Sequence, residues 1–95
     1  MATYELAFLD SARKEWNRLD SLVRSRFIKK LAERLECPRV PAAALRNLPD
    51  CYKIKLRDIG YRLVYRVEDD LVIVTVIAVG RRDKNQVYLA AGQRL

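Results

Sequence analysis

Lys53, Lys55 and Arg57 alternate with Tyr52, Ile54 and Leu56, and Tyr61-Arg62 follows closely. Successive side chains of a β-strand point to opposite faces, so this spacing puts the cations on one face and the apolar residues on the other. Such a strand, buried on one side, presents a surface for a polyanion. The chain contains no histidine, so proton transfer there would fall to lysine, arginine, tyrosine or a carboxylate. Residues two apart on a strand lie roughly 6.7 Å apart. At an effective dielectric of about 20, two cations at that distance repel by roughly 2.5 kcal/mol. A lysine among such neighbours gives up its proton more easily and offers some free amine as a base. A bound phosphate pushes the other way.

RNA cleavage fits these groups. The ribose 2′-hydroxyl attacks the adjacent phosphorus in line, charge grows on the non-bridging oxygens, and the 5′-oxygen leaves. The reaction needs a base at the hydroxyl, cations around the phosphate, and an acid or cation at the leaving oxygen. A tyrosine can orient a base by stacking. None of this requires a metal or cofactor, and two cysteines without histidine fall short of four zinc ligands.

The elements that must position these residues are legible from periodicity. Thr3 to Phe8 reads as a strand. Asp10 or Ser11 can cap a helix with the stripe Ala12, Trp16 and Leu19. Asp20 or Ser21 can cap a second helix with the stripe Val23, Phe27, Leu31 and Leu35 and its basic residues, Arg34 among them, on the wet side. Pro38 and Pro41 end that helix. Three strands follow, Tyr52–Arg57, Tyr61–Glu68 and Leu71–Val79, joined by the short turns Asp58-Ile59-Gly60 and Asp69-Asp70, which force antiparallel hairpins. The last strand is apolar on both faces, so it should be covered on both sides. Asp83 can cap a short C-terminal helix carrying Val87, Tyr88, Ala91 and Leu95.

The order β-α-α-β-β-β-α predicts a single α+β domain over residues 1–95. A mainly antiparallel sheet of about four strands would carry the N-terminal helical hairpin on one face. Leu6, Phe8, Trp16, Phe27, Leu31, Leu35, Ile54, Leu56, Leu63, Tyr65, Ile73 and Ile77 should form its core. Across the first hairpin Arg62 joins the cation face, and Arg66 continues it. The last strand delivers Arg81 and Arg82 just before the helix bearing Tyr88. Lys53, Lys55, Arg62 and Arg82 would then meet in one patch, with Arg46 and Arg57 at its edge. Like charges opposed across a sheet destabilise it, so the patch points to an anionic ligand. Alternating lysines on a lone strand commonly do no more than solvate it.

Composition agrees with that reading. Ninety-five residues with 51% hydrophobic content support a packed core, and a formal charge of +7 favours an anionic partner such as nucleic acid. Cys37 and Cys51 cannot frame a secreted disulfide fold, and no apolar signal segment precedes Tyr4. The longest apolar run is too short to span a bilayer. A cytoplasmic protein without membrane attachment is expected.

The string Leu45-Arg46-Asn47-Leu48-Pro49-Asp50-Cys51-Tyr52-Lys53-Ile54-Lys55-Leu56-Arg57, followed by Gly60-Tyr61-Arg62-Leu63-Val64-Tyr65, closely resembles the RelE toxins of bacterial toxin–antitoxin pairs. The resemblance extends to Lys14-Glu15-Trp16, Val79-Gly80-Arg81-Arg82 and Val87-Tyr88, and so covers nearly the whole chain. It implies a RelE-like microbial RNase fold and a ribosome-dependent endoribonuclease that cuts messenger RNA in the decoding A site. By the same resemblance Lys55 is the general base, and Arg82 the general acid or leaving-group stabiliser. Lys53 and Arg62 hold the scissile phosphate, and Tyr88 stacks on the messenger. Arg46, Arg57, Arg81 and Lys84 are supporting RNA-binding positions. The implied partners are a RelB-type antitoxin, the ribosome with its messenger, and operator DNA only through the antitoxin complex. The Ala42-Ala43-Ala44 loop offers no polar contacts. Two other functions remain open: a non-enzymatic gyrase inhibitor of the related ParE class, and a plain nucleic-acid-binding module.

Overall fold

Residues 3–83 and 85–95 are described by the computed structural model. They form β1 (Glu5–Phe8), α1 (Asp10–Asn17), α2 (Ser21–Glu36), a 3-10 turn (Pro41–Ala43), β2 (Cys51–Leu56), β3 (Tyr61–Glu68), β4 (Ile73–Arg81) and α3 (Gln86–Arg94). The strands make one sheet in the order β1-β4-β3-β2. The β2-β3-β4 meander is antiparallel, as its short turns require, but β1 joins β4 in parallel. The sheet is therefore mixed. The connection from β1 runs through both helices and two hairpins before the chain returns, which is long enough to reverse direction freely.

Two apolar layers flank the sheet. The α1–α2 layer buries Ala12, Trp16, Phe27 and Leu31 against Ile54, Leu56, Leu63, Tyr65, Val74 and Val76. Trp16 joins the pieces: its ring centroid lies 5.3 Å from Phe8 and 6.2 Å from Phe27. On the opposite face α3 sets Val87 and Ala91 on Cys51, Val64, Ile77 and Ala78. The expectation that β4 is covered on both faces holds, and α3 is the second cover. Among the described residues no helix is long and apolar enough to cross a membrane.

Several expected details differ. A register shift opposite Val64/Tyr65 leaves Ile77 unpaired on β4 and reverses its alternation. Ile77 therefore enters the α3 layer, while Val79 returns to the helical-hairpin layer. A bulge of this kind is invisible to a period-two reading. Leu6 is 38% exposed because β1 is an outer strand, while Phe8, Leu35 and Ile73 are only partly buried. Leu71 and Val72 belong to the turn before β4, where Val72 takes φ 56°. Cys51 is fully buried, and burial pushes its thiol up to about 11; Cys37 is exposed.

The caps also shift. Asp20 is the N-cap of α2, but without a side-chain hydrogen bond. Asp10 is already inside α1, which Leu9 precedes. At α3 the cap position is Asn85, with φ 60°, and Asp83 contributes only its carbonyl to Gln86 N–H at 2.9 Å.

Candidate active site

Pairing register decides which cations meet. In the β2–β3 hairpin Lys55 lies opposite Arg62 and Lys53 opposite Val64, and β4 continues the first row with Gly80 opposite Arg62. Side chains of opposed residues share a face, so Lys53, Lys55 and Arg62 stand together on the α3 side. Tyr52, Ile54 and Leu56 go to the other side, into the core. The α3 helix packs over this row, with Val87 Cγ2 at an ordinary contact distance of 3.6 Å from where a Cβ on Gly80 would lie.

Arg82 is brought to the same neighbourhood by the backbone. Its N–H donates to Gly60 O at 2.9 Å, extending the ladder past the end of β4. Gly60 takes φ +70°, and a Cβ built there would touch Arg82 Cγ at 3.8 Å. A residue with a side chain would have room beside the arginine stem but would meet backbone strain. The turn is tied to α2 by a two-point bond from Arg26 to Asp58, at 2.6 and 2.9 Å.

The electrostatics of Lys55 register this convergence. Its pKa lies below the ordinary lysine value, first because of Lys53, then burial, then Arg62, Arg57 and Arg82. One ammonium feels four other cations. That direction is what the alternation in β2 alone suggested, now with contributions from two further segments.

Tyr88 rises from α3 beside Arg62. The Tyr88 hydroxyl and Arg62 Nη1 are both buried, and neither forms a hydrogen bond of good geometry. Burial pushes the Tyr88 phenol up, and the Arg62 guanidinium partly offsets the rise. Arg62 thus acts on the phenol both by its charge and by a hydrogen bond of imperfect geometry. Past Tyr88 opens a cavity of about 720 Å³, lined by Leu45, Arg46, Leu48, Tyr88 and Leu89 among others. Arg46 and Tyr88 therefore share one cavity.

The remaining expected positions divide. Arg57 follows β2 on the cation face and adds to the field on Lys55. Arg81 lies opposite Tyr61, on the other face of the sheet from Lys55. Its guanidinium carbon is 5.7 Å from the Tyr61 ring centroid and its Nε donates to the Tyr61 hydroxyl at 3.3 Å. Arg66 does not extend the patch as a free cation, because it is paired with Glu68 at 2.7 Å. Lys84 lies outside the described residues.

Two supports escaped periodicity. Glu15 and Arg94 form a two-point ion pair at 2.8 and 3.0 Å. Beyond the end of β1, Glu15 accepts from Val79 N–H at 3.2 Å and Arg94 donates to Ile77 O at 2.8 Å. The pair thus replaces the missing β1 ladder and ties α3 to α1. Arg34, read as solvent-facing, instead donates to Lys53 O at 3.2 Å and to the Tyr65 hydroxyl at 2.9 Å. An arginine is long enough to reach round a helix to a strand edge, which stripe positions do not reveal.

Residues 6–86 match the family described as ParE toxin of type II toxin–antitoxin system, parDE. The chain is 54% identical over 92 residues, covering 97% of both sequences, to the mRNA interferase toxin RelE of Escherichia coli (strain K12). Among solved structures, a doubly substituted E. coli RelE in the free state superposes with a TM-score of 0.91, at 52% identity and 99% coverage of each chain. The toxin in the intact E. coli RelBE toxin–antitoxin complex gives 0.82, at 56% identity over 85% of this chain and 99% of that one.

Proposed function

This chain belongs to the RelE family, within the ParE toxins of type II toxin–antitoxin systems, and from that membership we propose that it is a ribosome-dependent mRNA interferase. It cleaves messenger RNA in the ribosomal A site by 2′-hydroxyl attack and so halts translation. A RelB-type antitoxin holds it inactive, and the pair represses its own operon at operator DNA. The work site is the translating ribosome, hence the cytoplasm.

The observation that carries the reading is the cation row: Lys53, Lys55 and Arg62 on one face of a hairpin, with Arg82 close enough to act on Lys55. In the proposed reaction Lys55, as free amine, takes the 2′-hydroxyl proton. Lys53 and Arg62 bind the non-bridging oxygens as charge grows on them, and Arg82 protonates or stabilises the departing 5′-oxygen. Tyr88 stacks on a base and holds the strand in line. Arg46, which lines the same cavity as Tyr88, is assigned to the same strand. Arg57, Arg81 and Lys84 are assigned to RNA contacts further out.

Induced expression followed by mapping of messenger 5′ ends tests the activity. Cleavage should fall within the A-site codon of occupied messengers and vanish for Lys55→Ala. Equal cutting of naked RNA would contradict the ribosome dependence. The family description also names parDE, whose ParE members define the gyrase-inhibitor reading. Blocked supercoiling with intact translation would select that function instead.

Tyr88 gives a further prediction. Stacking of a base on an aromatic ring contributes about 1–3 kcal/mol, so Tyr88→Ala should lower single-turnover cleavage by roughly 5- to 150-fold. Tyr88→Phe keeps the ring and removes a buried hydroxyl that meets Arg62 only at imperfect hydrogen-bond geometry. Its rate should stay within about threefold of wild type, and its thermal stability should not fall. A large loss for Tyr88→Phe would assign the hydroxyl a chemical part.

A further inference from the structure

β2 is an outer strand, and its free edge is closed over only part of its length. Leu45 N–H donates to Cys51 O at 3.0 Å, and Ala44 forms a single bridge with Tyr52. Two residues on, Lys53 O is taken by Arg34. The alternation of an antiparallel ladder then turns the Lys55 N–H to this same edge. Here Arg34, Lys53, Lys55 and Arg57 surround a cleft of about 310 Å³, closed on its other side by Val40 and Ala42. The volume is at the lower end of ligand pockets.

Three features make the cleft specific. None of its four cations forms an ion pair among the described residues, whereas Arg26, Arg39, Arg66 and Arg94 each do. Arg34 is anchored at one nitrogen only: Nη1 serves Lys53 O and Tyr65, whose own hydroxyl donates to Pro38 O at 2.7 Å. Its Nη2 and Nε make no hydrogen bond among the described residues, leaving a two-point donor edge suited to phosphate. Finally, the Val40–Ala42 wall is aliphatic, a surface for a sugar or base edge rather than for a carboxylate side chain.

We propose that this cleft is a second RNA subsite, holding the phosphodiester of a nucleotide beside the reacting one. The proposal rests on the function given above, since Lys53 and Lys55 line both the cleft and the cation row and would be shared by consecutive phosphates of one strand. Gripping the strand on two linkages fixes the in-line angle at the first. The blandness of the Ala42-Ala43-Ala44 loop then has a role: it leaves room for the nucleotide.

The test uses ribosomes programmed with a messenger carrying one neutral methylphosphonate, walked through the linkages flanking the cut. Two messengers are compared at each position, one with the reacting 2′-hydroxyl and one with a 2′-deoxy sugar there. The first reports cleavage and the second reports affinity without any reaction. Ala42→Glu is the main variant: it removes no hydrogen bond and sets a carboxylate at the mouth of the cleft. Arg57→Ala is the second; Arg34→Ala would also disturb Tyr65. Neutralising one flanking linkage should weaken wild-type binding about tenfold. Ala42→Glu should lose about as much with the all-phosphate messenger and little more with the neutral one.

Equal losses for every messenger would mean that the cleft holds a phosphodiester of ribosomal RNA, which upholds the ligand class and changes its source. Wild-type binding by both variants, with no sensitive linkage, would overturn the subsite. So would normal ribosome binding combined with lost affinity for the antitoxin, which would make the ligand an acidic peptide. Because affinity is read on the uncleavable messenger, absent cleavage would count against the proposed reaction while the subsite is still judged.

Discussion

Lys55→Ala should slow single-turnover cleavage of ribosome-bound messenger by about 10²–10⁴-fold, the usual contribution of a positioned general base. Lys55→Arg should be nearly as slow. It keeps the positive charge, but an arginine at neutral pH offers no resting free base to take the 2′-hydroxyl proton. Substantial activity in Lys55→Arg would reduce Lys55 to an electrostatic role. For wild type the rate should climb with pH as Lys55 loses its proton, and level off above a value lower than that of an ordinary lysine. The Lys55→Ala profile should lack this limb. A phosphate in the site raises the Lys55 pKa again, so kcat should show its inflection at higher pH than kcat/KM.

The same shift acts on stability with a determined sign. The folded-state pKa of Lys55 is lowered below 10.5. The unfolded chain therefore binds more protons between the two values, and stability rises with pH across that window. Below it, repulsion among Lys53, Lys55, Arg62, Arg57 and Arg82 weighs on the fold in full. Lys55→Gln should accordingly raise the melting temperature at pH 7, with the advantage fading as pH passes 10.5. A protein stabilised by losing the proposed base is what a site built from like charges implies. An unchanged or lower melting temperature would show that solvent screens the patch.

Arg82→Ala is the second large effect. Loss of a charge aimed at the developing oxyanion typically costs about 10²–10³ in kcat, and Arg82 should reach that range with little change in messenger affinity. Its side chain is exposed, and the N–H that holds it to Gly60 O survives the substitution. The melting temperature should therefore stay within about 4 °C, since surface substitutions usually fall within about 0.5 kcal/mol. Arg82→Lys should recover part of the rate through its charge and lose the forked geometry. Wild-type rates for Arg82→Ala would remove this residue from the site. Gly60→Ala offers an indirect comparison, because strain at φ +70° should disturb the turn whose carbonyl holds the Arg82 N–H, without deleting the arginine.

Local chemistry made much of this legible in advance. Cationic and apolar residues alternate over Tyr52–Arg57, and both turns are too short for anything but antiparallel pairing. The placement of Lys53, Lys55 and Arg62 on one face was therefore nearly forced. The helical stripes were equally clear because Trp16, Phe27 and Leu31 recur at helical spacing and do pack inward. The parallel pairing of β1, the bulge at Ile77 and the exposure of Leu6 were not legible, since each depends on a neighbouring strand remote in sequence. Arg34 and Arg66 were misread for a related reason. A long basic side chain near a surface looks solvated until the carbonyl or carboxylate it reaches is known, here Lys53 O and Glu68.

By itself the sequence determined the element order, the faces of the hairpin strands, a net positive charge and the absence of histidine, because those follow from residue type and nearest-neighbour geometry. Only the tertiary structure decided that Arg82 and Tyr88 reach the row begun in β2, that Arg81 turns away from it, and that an anchored Arg34 opens a cleft beside it. Those outcomes depend on strand pairing and helix docking between distant segments, and no local period carries that information.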